Sequence, residues 1–204
     1  MANSRTHIDV VRAGLVEAAC VLDNLIANES TLGLISQAGQ LLAQTIQSGG
    51  RIYSCGNGGS MCDAMHFAEE LCGRFREDRP AYPAIAISDS GYLSCVGNDY
   101  GYDQVFARFL QAQGRAGDVL LAISTSGASK NILAAAHVAR ELGVCVVGLT
   151  GKPNSALSQI SDLAIVTPGG RYADRVQELH IKIIHLLIEL VERQLAPQNY
   201  TDQN

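Results

Sequence analysis

The sequence lacks the features that mark several large classes of protein. It has no tryptophan, its acidic residues outnumber its basic residues by 20 to 15, and its six cysteines include no Cys-x-x-Cys pair. The acidic balance argues against a surface that coats nucleic acid or binds an anionic membrane. No apolar run approaches the ~20 residues that span a bilayer, and no signal region follows the polar start. We expect a cytoplasmic protein with reduced thiols.

The remaining composition is that of a globular protein. The chain has 204 residues, of which 47% are apolar and 17% are charged. This length fits one domain over 1–204 with a sizeable core. Apolar residues at helical spacing predict a helix from His7 to about Ala27 and a second helix that Ser30 or Thr31 caps. These N-terminal helices cover about 7–48, and they either shield a sheet or pack against another subunit.

An α/β core is predicted from about 51 to 195, because strands and helices alternate there. The strands are read from five short apolar runs, at Ile52–Cys55, Ala84–Ser88, Val119–Ser124, Val144–Leu149 and Leu163–Val166. Strands that are apolar throughout and separated by helices indicate a parallel sheet buried on both faces. A long final helix is expected from about Tyr172 to Leu195, followed by a frayed polar tail.

The stretch CGNGGSMCDAMHFAEE, from Cys55 to Glu70, follows the first strand. Its glycines leave backbone N–H groups free to approach an anion, and Ser60 stands where a helix N-cap would. His66 and Glu70, four residues apart, share one face of the helix that starts there. The stretch therefore predicts an anion site beside an imidazole and a carboxylate. The alternative is a glycine-rich turn followed by an ordinary amphipathic helix, which would have the same sequence pattern.

A second candidate anion site is the loop from Ser124 to Ser129, which has four hydroxyls in six residues directly after the third strand. Ligands of open α/β sheets bind beyond the carboxyl ends of the strands. A hydroxyl-rich helix cap is the alternative. Neither loop has the Walker pattern, and position 61 is methionine where the dinucleotide fingerprint needs glycine. A small phosphorylated metabolite fits better than a nucleotide.

The chain resembles a known family from about Val10 to Glu192. The resemblance is carried by the segments CGNGGS, DAMHFAEEL, VGNDYG, ISTSGAS and YADRVQELHIKIIH. They are similar to bacterial phosphoheptose isomerases of the sugar isomerase (SIS) domain superfamily. The resemblance implies a three-layer α/β/α sandwich around a five-stranded parallel sheet, assembled as a homotetramer. It also implies conversion of sedoheptulose 7-phosphate to D-glycero-D-manno-heptose 7-phosphate, the first step towards the heptose of lipopolysaccharide.

The resemblance implies a role for particular residues. The catalytic acid/base pair would be Glu70 and His185. The ligands of one zinc ion per subunit would be His66, Glu70, Gln177 and His185. The substrate would be bound by Asn57, Gly58, Gly59, Ser60, Glu70, Asn98, Asp99, Ser124, Thr125, Ser126, Ser129 and Gln177. The chain departs from the family at Cys72, Phe75 and 152–154, none of which is a proposed catalytic position.

The final helix carries two histidines, and its geometry does not choose between them. His180 and His185 lie about 140° apart around the helix, and Gln177 is within about 80° of both. The resemblance selects His185, and a buried core histidine is the alternative. Gln177 and His185 are also roughly 12 Å apart along the axis, so the ligands must lean together or come from different subunits.

Two further questions stay open from the sequence. A zinc-bound carboxylate is a weaker base, so either Glu70 leaves the metal during turnover or the metal mainly organises the site. Some SIS relatives are also non-catalytic, such as the bacterial replication-initiator-associating protein. Those relatives lose the AEE segment and the final histidine, whereas Ala68–Glu69–Glu70 and His185 are present here. A phosphosugar-sensing regulator would need a DNA-binding domain, for which the chain has no room.

Overall fold

The computed structural model describes residues 5–201, and its centre is a five-stranded parallel sheet. The strands lie in the order β2-β1-β3-β4-β5. Their bounds are Ile52–Cys55 (β1), Ala84–Ala86 (β2), Val119–Ile123 (β3), Cys145–Thr150 (β4) and Leu163–Val166 (β5). The predicted fold class, a three-layer α/β/α sandwich with additional N-terminal helices, is confirmed.

Helices cover both faces of the sheet. One layer consists of α1 (His7–Ile26), α2 (Glu29–Gln47), α3 (Gly59–Cys72) and α8 (Ala173–Leu195). The other layer consists of α4 (Ser90–Tyr100), α5 (Ala107–Gln113), α6 (Lys130–Glu141) and α7 (Ala156–Ile160). Successive strand side chains point to opposite faces, so Leu121 and Ile123 pack on the first layer and Leu120 and Ala122 on the second. The core therefore consists of two apolar clusters, one on each face of the buried β-sheet.

The N-terminal helices begin at polar caps. At α1 the Thr6 hydroxyl accepts from the Asp9 N–H, and the Asp9 carboxylate accepts from the Thr6 N–H, which forms a capping box. At α2 the Asn28 side chain accepts from the Thr31 N–H. The prediction that Ser30 or Thr31 caps this helix is therefore wrong. Asparagine is as good an N-cap as serine, and its position two residues earlier was sufficient to start the helix.

The chain reverses its direction across the sheet between β1 and β3. After β1 it crosses to β2 on one side, and from there it returns to β3 on the other side. This switch point leaves a crevice at the carboxyl ends of β1 and β3, where open α/β sheets bind ligands. The loops that follow Cys55 and Ile123 both open into this crevice. The topology therefore puts the two predicted anion loops side by side.

Three local expectations are corrected. The N-cap of α3 is Gly58, with no side-chain cap, and Ser60 lies inside the helix. The helices α4, α5 and α7 carry no strong apolar stripe in the sequence and were missed. The tail is not frayed over the described residues, because Pro197–Tyr200 forms a 3-10 helix whose Tyr200 hydroxyl bonds to Glu192. Within 5–201 no helix is both long and apolar enough to cross a membrane.

Candidate active site

The loop between β1 and α3 depends on glycine at two positions. Gly58 has a φ of 55°, a conformation that other residues rarely adopt. A Cβ on Gly56 would collide with the Ser60 backbone. The tight turn that results lets Ser60 N–H donate to the Asn57 carbonyl at 3.0 Å, so the helix starts immediately after the strand. The Met61 N–H likewise donates to the Gly58 carbonyl at 3.0 Å, so this turn places the start of α3 at the carboxyl end of β1.

The loop from Ser124 to Ser129, called the hydroxyl loop below, draws its side chains together. Ser124 Oγ lies 3.2 Å from Ser129 Oγ and 3.5 Å from Ser126 Oγ. The Gly127 N–H donates to the Ser124 carbonyl and hydroxyl at 3.0 and 3.1 Å. Gly127 has a φ of 63°, and a Cβ there would collide with Ser155. Three of the predicted phosphate-binding hydroxyls are therefore brought together on a turn that only glycine permits.

A pair of asparagines bridges the two loops. Asn57 Nδ2 donates to Asn131 Oδ1 at 2.9 Å, and Asn131 Nδ2 donates to Asn57 Oδ1 at 2.8 Å. Tyr102 Oη also donates to Asn57 Oδ1, at 3.2 Å. Asn131 lies at the start of α6, directly after the hydroxyl loop. The bridge fixes the spacing between the two anion loops across the crevice.

A second group of polar side chains lies where α3 packs on α8. His66 Nε2 is 2.9 Å from His185 Nε2 and 3.7 Å from Glu70 Oε1, and His66 Nδ1 is 3.0 Å from Glu69 Oε1. His66, Glu69, Glu70 and His185 are called the histidine–glutamate cluster below. The structure thus brings together three of the four predicted metal ligands, including both members of the predicted acid/base pair.

The surroundings of this cluster shift two pKa values in opposite directions. Burial raises the pKa of the Glu70 carboxyl above its usual value, and the negative charge of Glu69 raises it further. Burial lowers the pKa of His185, and the neighbouring His66 and Lys182 lower it further. Both shifts favour the neutral forms. A raised pKa makes the Glu70 carboxylate a stronger base, which suits a group that removes a proton.

The cluster has the donor chemistry of a metal site. Two imidazoles and a carboxylate are ordinary zinc ligands. The Nδ1 atom of His66 faces Glu69, and a hydrogen bond on that side leaves the Nε2 lone pair for a metal. Two nitrogen ligands on a tetrahedral zinc are about 3.3 Å apart, so the 2.9 Å between His66 and His185 would open by roughly 0.4 Å. The residues present fit the ion.

Other predicted site residues lie elsewhere. A Cβ on Gly59 would collide with the Gln177 amide, so Gln177 lies at the start of α3, about 10 Å along the helix from His66. Asn98 and Asp99 are exposed at the end of α4, and their side-chain hydrogen bonds within 5–201 go to each other and to Cys95. Gln177 is thus beside Gly59 at the start of α3, whereas His66 and Glu70 lie beyond the second turn of that helix and His185 contacts His66 from α8.

Several side chains at the site were given no role from the sequence. Glu69 precedes the singled-out Glu70 and lies three residues from His66, so helical spacing alone could have found it. Asp63 lies on the same helix, and burial raises its pKa to about 6. Asn131 and Tyr102 gave no such signal, because they meet Asn57 only through the tertiary fold.

The structure distinguishes the two histidines of α8. His185 is half-buried and contacts His66, whereas His180 is fully buried and neither of its ring nitrogens has a side-chain or backbone partner within hydrogen-bond geometry among residues 5–201. Burial lowers the pKa of His180 to about 4, and a smaller effect of the Thr150 backbone opposes that shift. The alternative of a buried core histidine therefore applies to His180 and not to His185.

Comparison with known proteins gives one consistent result. The SIS domain family matches residues 17–151 of the chain. A phosphoheptose isomerase of Edwardsiella ictaluri is 55% identical over 188 residues, which are 92% of this chain and 97% of that protein. A phosphoheptose isomerase of Haemophilus ducreyi is 53% identical over 190 residues, which are 93% of this chain and 98% of that protein.

A solved structure has the same fold. The phosphoheptose isomerase of Neisseria gonorrhoeae is 36% identical and superposes with a TM-score of 0.85, covering 92% of this chain and 99% of that one.

Proposed function

The chain belongs to the phosphoheptose isomerase family of SIS-domain proteins, and we propose that it converts sedoheptulose 7-phosphate to D-glycero-D-manno-heptose 7-phosphate. This reaction is an aldose–ketose isomerisation and supplies heptose for lipopolysaccharide. The observation that carries the proposal is a hydroxyl loop at the carboxyl end of β3 together with a histidine–glutamate cluster between α3, which follows the neighbouring strand β1, and α8. The first suits a phosphate, and the second suits proton transfer.

The phosphate of the substrate is held by the hydroxyl loop together with the start of α3. The Ser126 and Ser129 hydroxyls each lie within 3.5 Å of the Ser124 hydroxyl, and Thr125 belongs to the same loop, while Ser60 lies in the first turn of α3. A terminal phosphate has three oxygens that accept such bonds. Each hydrogen bond to a charged group contributes roughly 1.5–3 kcal/mol. Asn57, Gly58, Gly59 and Gln177, with Asn98 and Asp99, bind the hydroxyls of the sugar.

The reaction moves a proton between C1 and C2 through an enediol. When the ketose is the substrate, a base removes a proton from C1 while the C2 carbonyl oxygen gains a proton, which gives the enediol. A proton is then returned to C2, and the C1 hydroxyl loses its proton to become the aldehyde. Glu70 is the base at carbon, and His185 holds or moves the proton at the oxygens. The raised pKa of Glu70 makes its carboxylate a stronger base, and the lowered pKa of His185 favours its neutral imidazole, which can accept or donate a proton.

The proposed cofactor is one zinc ion per subunit. His66, Glu70 and His185 supply two nitrogens and a carboxylate, and Gln177 completes the proposed set from the crevice. When bound, the ion polarises the carbonyl of the sugar and stabilises negative charge on its oxygens. Within one subunit Gln177 lies beside Gly59, about 10 Å along α3 from His66, so the Gln177 that completes the set would come from another subunit.

A homotetramer located in the cytoplasm is the proposed state of the protein. Along α1 the apolar residues Ile8, Val11, Leu15 and Val16 are 62–68% exposed. A mainly apolar groove of Leu22, Leu25, Ile26, Leu32 and Ile35 runs to His185 and Leu186, and Arg76, Lys182 and Glu189 also line it. Exposed apolar surface of this extent is typical of a subunit contact. Its continuity with His185 supports a site that lies between subunits.

The assembly is tested by light scattering on wild type and on Leu15→Glu. We expect the tetramer mass for wild type and a lower mass for Leu15→Glu, with loss of activity. Asn24→Glu is the matched control, since it adds the same charge about 180° around the same helix. A fully active wild-type monomer would contradict both the tetramer and the shared site.

The reaction itself is tested by incubating the protein with sedoheptulose 7-phosphate and following the mixture by NMR. We expect the anomeric signal of a new aldose. The absence of turnover, both without zinc and with added zinc, would contradict the proposed function.

A further inference from the structure

Arg79 is a buried arginine outside the site described above. It lies in the loop between α3 and β2, and its side chain has no exposed surface. Its guanidinium lies 4.4 Å from the centre of the Tyr82 ring. A buried arginine is costly unless each of its donors has an acceptor, so the direction of each donor is informative.

Part of the guanidinium binds the end of α3. The last four carbonyls of a helix have no partner within the helix. Arg79 Nη2 donates to the Glu70 carbonyl at 2.6 Å, and Nη1 donates to the carbonyls of Leu71 and Gly73 at 2.8 Å each. A cation at a helix C-terminus is also favoured by the helix dipole. Arg79 therefore holds the last turn of the helix at Glu70 itself.

Nη1 also lies 3.2 Å from the Pro80 carbonyl, and the third nitrogen of the guanidinium, Nε, reaches α8. Arg79 Nε donates to Glu192 Oε1 at 2.8 Å, and Glu192 has no exposed surface. Glu192 Oε2 accepts from the Tyr200 hydroxyl at 2.7 Å. Glu192 lies seven residues after His185, which is about two turns along the same face of α8. One guanidinium thus joins the helix that carries Glu70 to the helix that carries His185.

We propose that Arg79 is a positioning residue for the isomerisation, because it fixes the end of α3 against α8 and thereby the placement of Glu70 relative to His185. This inference rests on the proposed function, which makes those two residues the acid/base pair. A misplacement of about 1 Å between reacting groups can cost on the order of 10²-fold in rate. Arg79 acts through the helix backbone and touches neither substrate nor metal.

Arg76 forms an ion pair between the same loop and α8, and it serves as a comparison for Arg79. It lies three residues before Arg79 and pairs with Glu189 of α8 at 2.8 Å, but its side chain is 40% exposed. Exposed pairs of this kind contribute little. Arg76 forms no hydrogen bond with the carbonyls of α3 among the bonds of the described residues. It is therefore a matched control with the same charge, the same loop and the same partner helix.

The experiment compares Arg79→Lys with Arg76→Lys. Lysine keeps the charge beside Glu192, but its single ammonium cannot bind several carbonyls in the planar arrangement of a guanidinium. We expect Arg79→Lys to lower kcat by roughly tenfold to 10²-fold, with KM changed less than about twofold. Hydrogen exchange of the amides in 68–73 should be faster as well. Arg76→Lys should change neither.

A further variant separates positioning from stability. Tyr200→Phe removes the hydroxyl bond to Glu192 and leaves the carbonyl contacts of Arg79 in place. We expect it to lower the melting temperature without lowering kcat. If Arg79→Lys does not fold, Glu192→Gln replaces it, since it weakens the α8 end of the same contact. That variant should lower kcat several-fold at unchanged KM, and an unchanged kcat would overturn the inference.

Two results for Arg79→Lys would overturn the inference. One is a normal kcat despite faster exchange in the last turn of α3. The other is unchanged exchange, which would mean that the carbonyl contacts do not hold the helix. If wild type does not isomerise sedoheptulose 7-phosphate, the proposed function fails, and the exchange measurement still decides whether Arg79 fixes α3.

Discussion

The hydroxyl loop and the histidine–glutamate cluster are built in different ways. The hydroxyl loop brings Ser124, Ser126 and Ser129 together within six residues, on a turn closed by its own Gly127 N–H. The cluster joins His66 and His185, which are 119 residues apart. Its geometry depends on how α3 packs against α8, and on buried contacts such as that of Arg79 with Glu192. The loop is a local structure, and the cluster is a product of the tertiary fold.

Because the two regions are built independently, we expect mutations in them to affect substrate binding and the catalytic rate separately. A change in the loop removes one hydrogen bond to the phosphate and leaves the cluster where it is, so it should raise KM. A change in the cluster, or in the contacts that place it, should lower kcat. The predictions below test this separation in order of decreasing effect.

The largest effect is expected at Glu70. Glu70→Gln keeps the size of the side chain but cannot accept a proton at neutral pH. Loss of a general base typically costs roughly 10²–10⁴-fold, and we expect kcat to fall by that amount. Glu69→Gln is the matched control, because it changes the adjacent glutamate, which contacts His66 only through Nδ1. Steady-state kinetics check both. Equal losses in the two variants would remove the distinction between base and supporting residue.

The next effect concerns stability and comes from the buried His180. Its folded pKa of about 4 lies below the usual value of 6.5, so the unfolded chain binds more protons between these values. The free energy of unfolding should therefore fall as the pH falls from about 6.5 to 4. Between pH 7 and pH 5 we expect wild type to lose about 2 kcal/mol more than His180→Leu. Urea unfolding at the two pH values measures this. Equal losses would show that His180 is not held neutral.

The smallest effect is expected at Ser126 in the hydroxyl loop. Ser126→Ala should raise KM for the sugar phosphate roughly tenfold, since one hydrogen bond to a charged group is lost, while kcat stays close to wild type. Ser158→Ala is the control, because the Ser158 hydroxyl donates to the carbonyl of Ser155, the N-cap residue of its own helix α7. An unchanged KM would remove Ser126 from the phosphate site. A large fall in kcat would break the separation between the two regions.

The sequence predicts the local parts of this molecule well. The five strands follow from short apolar runs, and the structure has them within two residues at each end. The hydroxyl loop is visible because its residues are consecutive. His66 and Glu70 share a face by helical spacing. In each case the signal lies within one element, where chain geometry fixes the neighbours.

Contacts between distant elements could not be predicted in the same way. Spacing along α8 did not choose between His180 and His185, because the choice depends on which face meets α3. Asn131 and Arg79 look like ordinary polar residues in the sequence, and their partners are 74 and 113 residues away. The start of α3 was misplaced at Ser60 because the preference of serine for caps was outweighed by a glycine turn. The metal ligands and the tetramer stay predictions.

The most direct test of the central claim is isomerase rate against zinc concentration for His66→Gln and Glu70→Gln, with bound metal quantified. In our account His66 only holds the metal, whereas Glu70 also moves the proton. Excess zinc should therefore recover part of the activity of His66→Gln and none of that of Glu70→Gln. If zinc restores both variants equally, Glu70 is only a ligand, and His185 becomes the next candidate for the base.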